Sequence, residues 1–109
     1  MKLSERSCVP CKGGVPPLDA EEIAQLQSEV KGWQVLDNKR LVKHFKFDDF
    51  KQAMDLADRV AVIAEEQGHH PDLLVRWGEL KVEVWTHKID GLTESDFILA
   101  ARIDKCARV

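Results

Sequence analysis

The chain has no long apolar run. None approaches the roughly 20 residues that a membrane-crossing helix needs, so no membrane span is expected. The N-terminal stretch MKLSERSCVPCKGG is charged and no apolar segment follows it, unlike a secretory signal. The expectation is an intracellular, cytoplasmic protein. Cysteine is scarce: three residues, an odd count, do not suggest a secreted disulfide framework. Positive charge is not in excess. Sixteen Lys and Arg face nineteen Asp and Glu, for a net charge of −3, with both signs interspersed. That argues against a broad basic surface, and so against nucleic-acid binding by charge. With 109 residues the chain is long enough for one domain and too short for two. Internal repeats and low-complexity tracts are absent.

Residues 1–17 contain Cys8, Pro10, Cys11, Gly13, Gly14, Pro16 and Pro17 but little that is apolar. They read as an extended or flexible arm, and residues 18–109 as the folded domain. At Asp19-Ala-Glu-Glu22 an acid stands three residues before a Glu, the capping-box spacing, and Ile23, Leu26 and Val30 share a helical face. The helix is expected over about 19–30, ended by Gly32. Trp33–Leu36 reads as a strand, Asp37-Asn38 as a turn, and Leu41–Phe47 as a second strand. Its one face carries Leu41, Lys43, Phe45 and Phe47; His44 lies on the other with Val42 and Lys46. Asp48 or Asp49 caps a long helix with Phe50, Ala53, Met54, Ala57, Val60, Ala61 and Ala64 at spacings of three and four. Gly68 suits the left-handed residue that closes it.

Leu73–Trp77 then reads as a third strand, Gly78-Glu79 as a tight turn, and Leu80–His87 as a fourth strand. Leu80, Val82, Val84 and Thr86 line one face of that strand. Lys81, Glu83, Trp85 and His87 line the other. Asp90-Gly91 turns the chain into a helix begun by Thr93–Asp96, with Phe97, Ile98, Ala101 and Ile103 apolar. The order is α-β-β-α-β-β-α. It predicts an α+β domain, a four-stranded antiparallel sheet with three helices on one face.

Four histidines are present, and two of them stand together in GHHPDL. His69 and His70 enter the third strand and His87 leaves the fourth. An antiparallel hairpin about Gly78-Glu79 would bring His70 or Pro71 beside His87. Clustered imidazoles suit acid–base work near neutral pH. Asp96 could approach and orient His87, or only complete a capping box with Thr93. A polar turn is the plain alternative for the histidine pair. Three histidines can also hold a zinc, but no helical HxxxH pair supports that reading. Cys8-Val-Pro-Cys11 is a single CxxC that supplies only two of the four ligands of a structural zinc. A zinc shared between subunits, a redox pair and an inert arm all stay open.

The stretch from Glu65 to Asp96 resembles the signature of the pterin-4a-carbinolamine dehydratases. It holds Glu65, His69-His70-Pro71, Trp77, His87 and Asp96 at the family's spacing. The resemblance runs from about Leu18 to Ile103 and includes FKFDDF and HKIDGLTESDFILAARI; the arm lies outside it. It implies dehydration of 4a-hydroxytetrahydropterin to quinonoid dihydropterin, the step that regenerates the cofactor of aromatic amino acid hydroxylases. It further implies that no metal or other cofactor is required and that the chain forms a homodimer or homotetramer. His69 and His87 would be the acid–base residues and His70 would chiefly hold the pterin. Asp96 would orient a histidine or bond substrate, Glu65 would support the loop, and Pro71 and Trp77 would shape or wall the site. Two alternative roles stay open: a pterin-linked function in molybdopterin-dependent metabolism, which would keep the same histidine motif, and a protein-interaction module acting as a dimerisation cofactor, which would not need three imidazoles.

Overall fold

A computed structural model describes residues 2–8 and 16–107. Cys11 lies outside them, so the CxxC pair is not described as a unit. The elements are α1 (Ala20–Gln27), β1 (Gln34–Leu36), β2 (Arg40–Lys46), α2 (Phe50–Gln67), β3 (Asp72–Arg76), β4 (Glu79–Val84) and α3 (Glu94–Ala107). Short 3₁₀ turns cover Leu3–Glu5 and His87–Ile89. The order of helices and strands is the expected α-β-β-α-β-β-α, and the fold class is α+β.

The strands form one antiparallel sheet in the order β1-β2-β4-β3. Two hairpins are thus set side by side with β2 against β4, in register Leu41↔Val84, Lys43↔Val82 and Phe45↔Leu80. Those residues lie on the core face of the sheet. Leu80, Val82 and Val84 are fully buried there and pack with Leu56, Val60, Phe97, Leu99 and Ile103 from the helices. Strict alternation in β4 fits its central place, since only one of its faces meets the core. β3 takes the edge and leaves Leu73, Leu74 and the neighbouring Trp77 exposed.

The β3–β4 turn falls one residue earlier than expected. Arg76 pairs with Glu79, so Trp77-Gly78 make the turn, and Gly78 carries the positive φ of 74°. Only glycine takes that conformation cheaply. The pairing consequently slides by two residues, which keeps every side chain on its expected face. In α2 the buried stripe is Ala53, Leu56, Ala57, Val60 and Ala64. Leu56 replaces Phe50, Met54 and Ala61, which face outward. The three buried alanines let the helix approach the sheet closely, and that rotates the larger apolar residues to its flank. α1 stops at Gln27, short of residue 30, with its capping box formed: Asp19 accepts from the Glu22 N–H and Glu22 from the Asp19 N–H.

Residues 2–8, expected within an extended arm, are packed down. Leu3 is 2% exposed and belongs to the core. The turn Leu3–Glu5 lies on α3, and Arg102 Nε and Nη2 both donate to the Arg6 carbonyl, at 2.8 and 2.5 Å. That cover explains why α3 is buried continuously from Ser95 to Ala100.

Candidate active site

Three chain segments meet at one end of the β3–β4 hairpin. The first is the end of α2. Gly68 adopts the left-handed conformation, φ 64°, and its N–H bonds the Ala64 carbonyl. The helix therefore ends there. Pro71 biases His70 toward an extended backbone and β3 starts at Asp72. His69 and His70 are left in the middle of the four-residue step, Gly68 to Pro71, between helix and strand.

The second segment is the exit of β4. Thr86 pairs with Gly91 in an isolated antiparallel bridge, and the 3₁₀ turn His87–Ile89 is looped out between them. His87 thus opens a turn beyond the strand. It is exposed, and its imidazole has no hydrogen-bond partner among the described residues; the ring meets the Trp85 ring edge-on, with centroids 4.2 Å apart. Trp85 is itself held twice. The Arg40 guanidinium lies 4.3 Å from its ring centroid, and its Nε1 donates to Asp72 at 3.3 Å.

The third segment is the first turn of α3. Asp96 has no solvent exposure. A carboxylate there must be satisfied by donors, because burying it unpaired would cost several kcal/mol. It is satisfied: Oδ2 accepts from the Thr93 N–H at 2.9 Å and the Thr86 hydroxyl at 2.8 Å, and Oδ1 lies 2.5 Å from His69 Nε2. Its place in the first helical turn also favours negative charge. A carboxylate oxygen accepts, so His69 Nε2 carries a proton and Nδ1 has no partner among the described residues. Asp96 both caps the helix and orients an imidazole. That imidazole is His69, where the sequence pointed to His87.

His70 Nε2 lies 2.5 Å from Glu65 Oε2 on the solvent side, both groups being well exposed. An exposed pair of this kind adds little stability, typically under about 1 kcal/mol. Its geometric effect is to turn the His70 ring toward Glu65.

The three histidines line a cleft of about 280 Å³ together with Gly68, Trp85, Thr86 and Lys88. That is close to the lower end of the roughly 300–1,000 Å³ typical of small-molecule sites. A larger cavity of about 460 Å³ lies between the N-terminal turn and α3, around Glu29, Asp104 and Lys105. It contains no imidazole, and Asp104 is already bonded to Trp33 Nε1 and Lys43 Nζ. The smaller cleft is the one that gathers three imidazoles. Among the described residues, no group of three or more His, Cys, Asp or Glu side chains could hold a metal ion.

Of the residues picked out in the sequence, Glu65, His69, His70, His87 and Asp96 converge, and Pro71 sets the backbone beside them. Trp77 does not join them. It sits in the turn at the opposite end of the hairpin, 72% exposed. Trp85 is the tryptophan that walls the cleft. Thr86 was missed, although its position gave a signal: a hydroxyl that continues the core-face alternation just past β4 requires a buried partner.

The sequence profile of the family "Pterin 4 alpha carbinolamine dehydratase" matches residues 16–106. A protein of Rubrobacter xylanophilus that bears the name of a pterin-4-alpha-carbinolamine dehydratase is 52% identical over 104 residues, 95% of this chain and 97% of that one. A match of 104 residues in a chain of 109 necessarily reaches into residues 1–15. Among solved structures, a transcriptional coactivator/pterin dehydratase from Brucella melitensis superposes with a TM-score of 0.77 at 29% identity, over 84% of this chain and 98% of that one. A pterin dehydratase-like protein described as a RuBisCO assembly factor in the alpha-carboxysome gives 0.57 at 25% identity, over 69% of this chain and 86% of that one.

Proposed function

The chain belongs to the pterin-4-alpha-carbinolamine dehydratase family and is a hydro-lyase, and from that premise we propose that His69, His70 and His87 carry out the dehydration of a 4a-hydroxytetrahydropterin to the quinonoid dihydropterin. The reaction breaks the C4a–O bond, removes the N5 proton and forms the C4a=N5 bond, releasing water. The hydroxyl is a poor leaving group until it is protonated, and N5 must lose its proton as the double bond forms. One acid and one base on opposite sides of a flat bicyclic ring meet both needs. Positioned groups of this kind contribute about 10²–10⁴-fold each.

His69 and His87 take these two roles, from α2's end and from the turn after β4. His70, turned toward Glu65, holds the pterin, and Trp85 supplies an aromatic wall for the ring. Asp96 holds His69 in one tautomer, so that the atom facing substrate is defined. The single observation that carries this reading is the His69–Asp96 contact of 2.5 Å at the rim of a cleft shared with His70 and His87. No metal or other cofactor enters the reaction. Its place is recycling of a tetrahydropterin cofactor in the cytoplasm, by a homodimer or homotetramer. Association is favoured by the unpaired edge of β3, whose exposed Leu73, Leu74 and Trp77 would otherwise meet water.

A second reading, an interaction or assembly role, draws on the names of the two structural neighbours. A pterin-linked role in molybdopterin metabolism would keep the same site. The test is His87→Ala, assayed on synthetic 4a-hydroxytetrahydropterin. We expect wild-type acceleration over the spontaneous reaction, a loss of about 100-fold or more in the variant, and unchanged thermal unfolding. An inactive wild type would favour the interaction reading. A variant that fails to fold would make His87 structural.

A further inference from the structure

The N-terminal segment does more than cover α3. From the buried Leu3 it runs past the Arg102 fork on the Arg6 carbonyl, and Arg6 Nη1 stands 3.6 Å from Glu94 Oε2. At Cys8 it touches both walls of the seam behind the site. The Cys8 backbone N–H donates to Gln67 Oε1 at 2.9 Å, and the thiol donates to the Ser95 carbonyl at 3.4 Å. Gln67 is the last residue of α2, two before His69; Ser95 immediately precedes Asp96. The arm thus joins the two segments whose side chains make the His69–Asp96 pair.

We propose that the Cys8–Gln67 contact makes the N-terminal arm a strap that holds His69 against Asp96, with Gln67 a positioning residue for the acid–base reaction; this rests on the role given to His69 above. The local anchors of the histidine loop are weak. The His69 N–H reaches the Ala64 carbonyl only at 3.3 Å, and the Glu65–His70 pair is exposed. Left-handed Gly68 adds no side chain that could hold the step. Gln67 ties this step to a segment that is itself fixed by a buried leucine and a two-pronged guanidinium. The Cys8 thiol suits a place beside a carboxylate. Burial pushes it up to about 11; the Asp96 charge pushes the same way and Arg102 opposes them. It is therefore neutral at physiological pH and able to donate. A displacement of about 1 Å in a catalytic group can cost about 100-fold in rate, so a small loosening would be readable.

The test uses the full-length protein as Gln67→Leu, which removes the acceptor, and Gln67→Glu, which keeps one. Gln67 is half-buried at a helix end, and both variants should fold, checked by thermal unfolding. For Gln67→Leu we expect about a tenfold fall in kcat with KM within about twofold, and recovery to within about threefold of wild type in Gln67→Glu. The second readout is independent of turnover: the NMR signal of the His69 Nε2 proton, which should exchange faster with water in Gln67→Leu and recover in Gln67→Glu. Wild-type kcat and an unchanged His69 signal in Gln67→Leu would overturn the strap. Equal impairment of the two variants would also overturn it, since the acceptor would then be irrelevant. If the wild type shows no dehydratase activity, the functional reading fails, and the His69 signal alone decides the strap.

Discussion

Replacing Asp96 by Asn changes one atom in the most buried part of the site. The amide oxygen can take over from Oδ2 and accept from the Thr93 N–H and the Thr86 hydroxyl, as the carboxylate does at 2.9 and 2.8 Å. The amide nitrogen then faces His69 Nε2 and donates where Oδ1 accepted. His69 must move its proton to Nδ1 or lose the contact. Hydrogen bonds to a charged group contribute about 1.5–3 kcal/mol and neutral ones about 0.5–1.5. Three bonds weakened by roughly 1 kcal/mol each are offset in part by not burying a charge. The net cost is about 1–3 kcal/mol, small enough for a domain of this size to survive. The rate should suffer more. A wrong tautomer removes the function of one imidazole, and such losses run to about 10²–10⁴-fold. Thermal unfolding gives the first number and ultraviolet assay of pterin dehydration the second. A folded Asp96→Asn protein with turnover within about threefold of wild type would refute the argument that Asp96 sets the state of His69.

Trp85→Ala should reduce kcat/KM by about tenfold or more through loss of the His87 contact and the aromatic wall. Trp77→Ala, at the far end of the hairpin, should leave turnover within about threefold; the reverse ranking in the same assay would contradict the placement of the cleft. Glu79 is buried beside Lys46, His44 and Arg76. The Lys46 hydrogen bond is the main cause holding its carboxyl below the ordinary carboxylate range, and His44 and Arg76 add to it. A depressed value stabilises the fold above the unfolded value of about 4.3, and this contribution is lost as pH falls through the folded value. The stability gap between wild type and Glu79→Gln, from urea midpoints, should therefore be widest at neutral pH and close in strong acid; a gap independent of pH would contradict it. Leu3→Ala should cost about 2 kcal/mol, the low end for a buried leucine, because a terminal turn can undock locally. Unchanged thermal stability would mean that the arm does not share the core.

Much of the fold could be read from residue patterns that are local. The alternation Leu80-Lys-Val-Glu-Val84 needs no partner to declare a half-buried strand, and Asp49 and Gly68 mark both ends of α2 by their own chemistry. The features that could not be read depend on distant parts. α2 carries apolar residues around more than one face, so only the close approach permitted by Ala53, Ala57 and Ala64 decides that Leu56 goes in and Phe50 stays out. Leu3 is a single apolar residue among Lys2, Ser4 and Glu5, with no period to betray burial. In the site, the convergence of His69, His70 and His87 followed from hairpin geometry, and survived a two-residue slide because both ends of the hairpin remain adjacent. The partner of Asp96 did not follow, because it lies 27 residues away and depends on how α3 enters beneath the sheet end. Trp77 and Trp85 differ only in which end of the hairpin they occupy, which the turn position decides.

The most direct measurement is the ultraviolet-monitored dehydration of synthetic 4a-hydroxytetrahydropterin by wild type and by His69→Ala, each with and without a chelator. The expected result is acceleration over the spontaneous reaction that is untouched by chelator and falls by about 100-fold or more in His69→Ala. Equal rates for wild type and His69→Ala, or wild-type activity that disappears with chelator, would contradict a metal-free reaction run by His69.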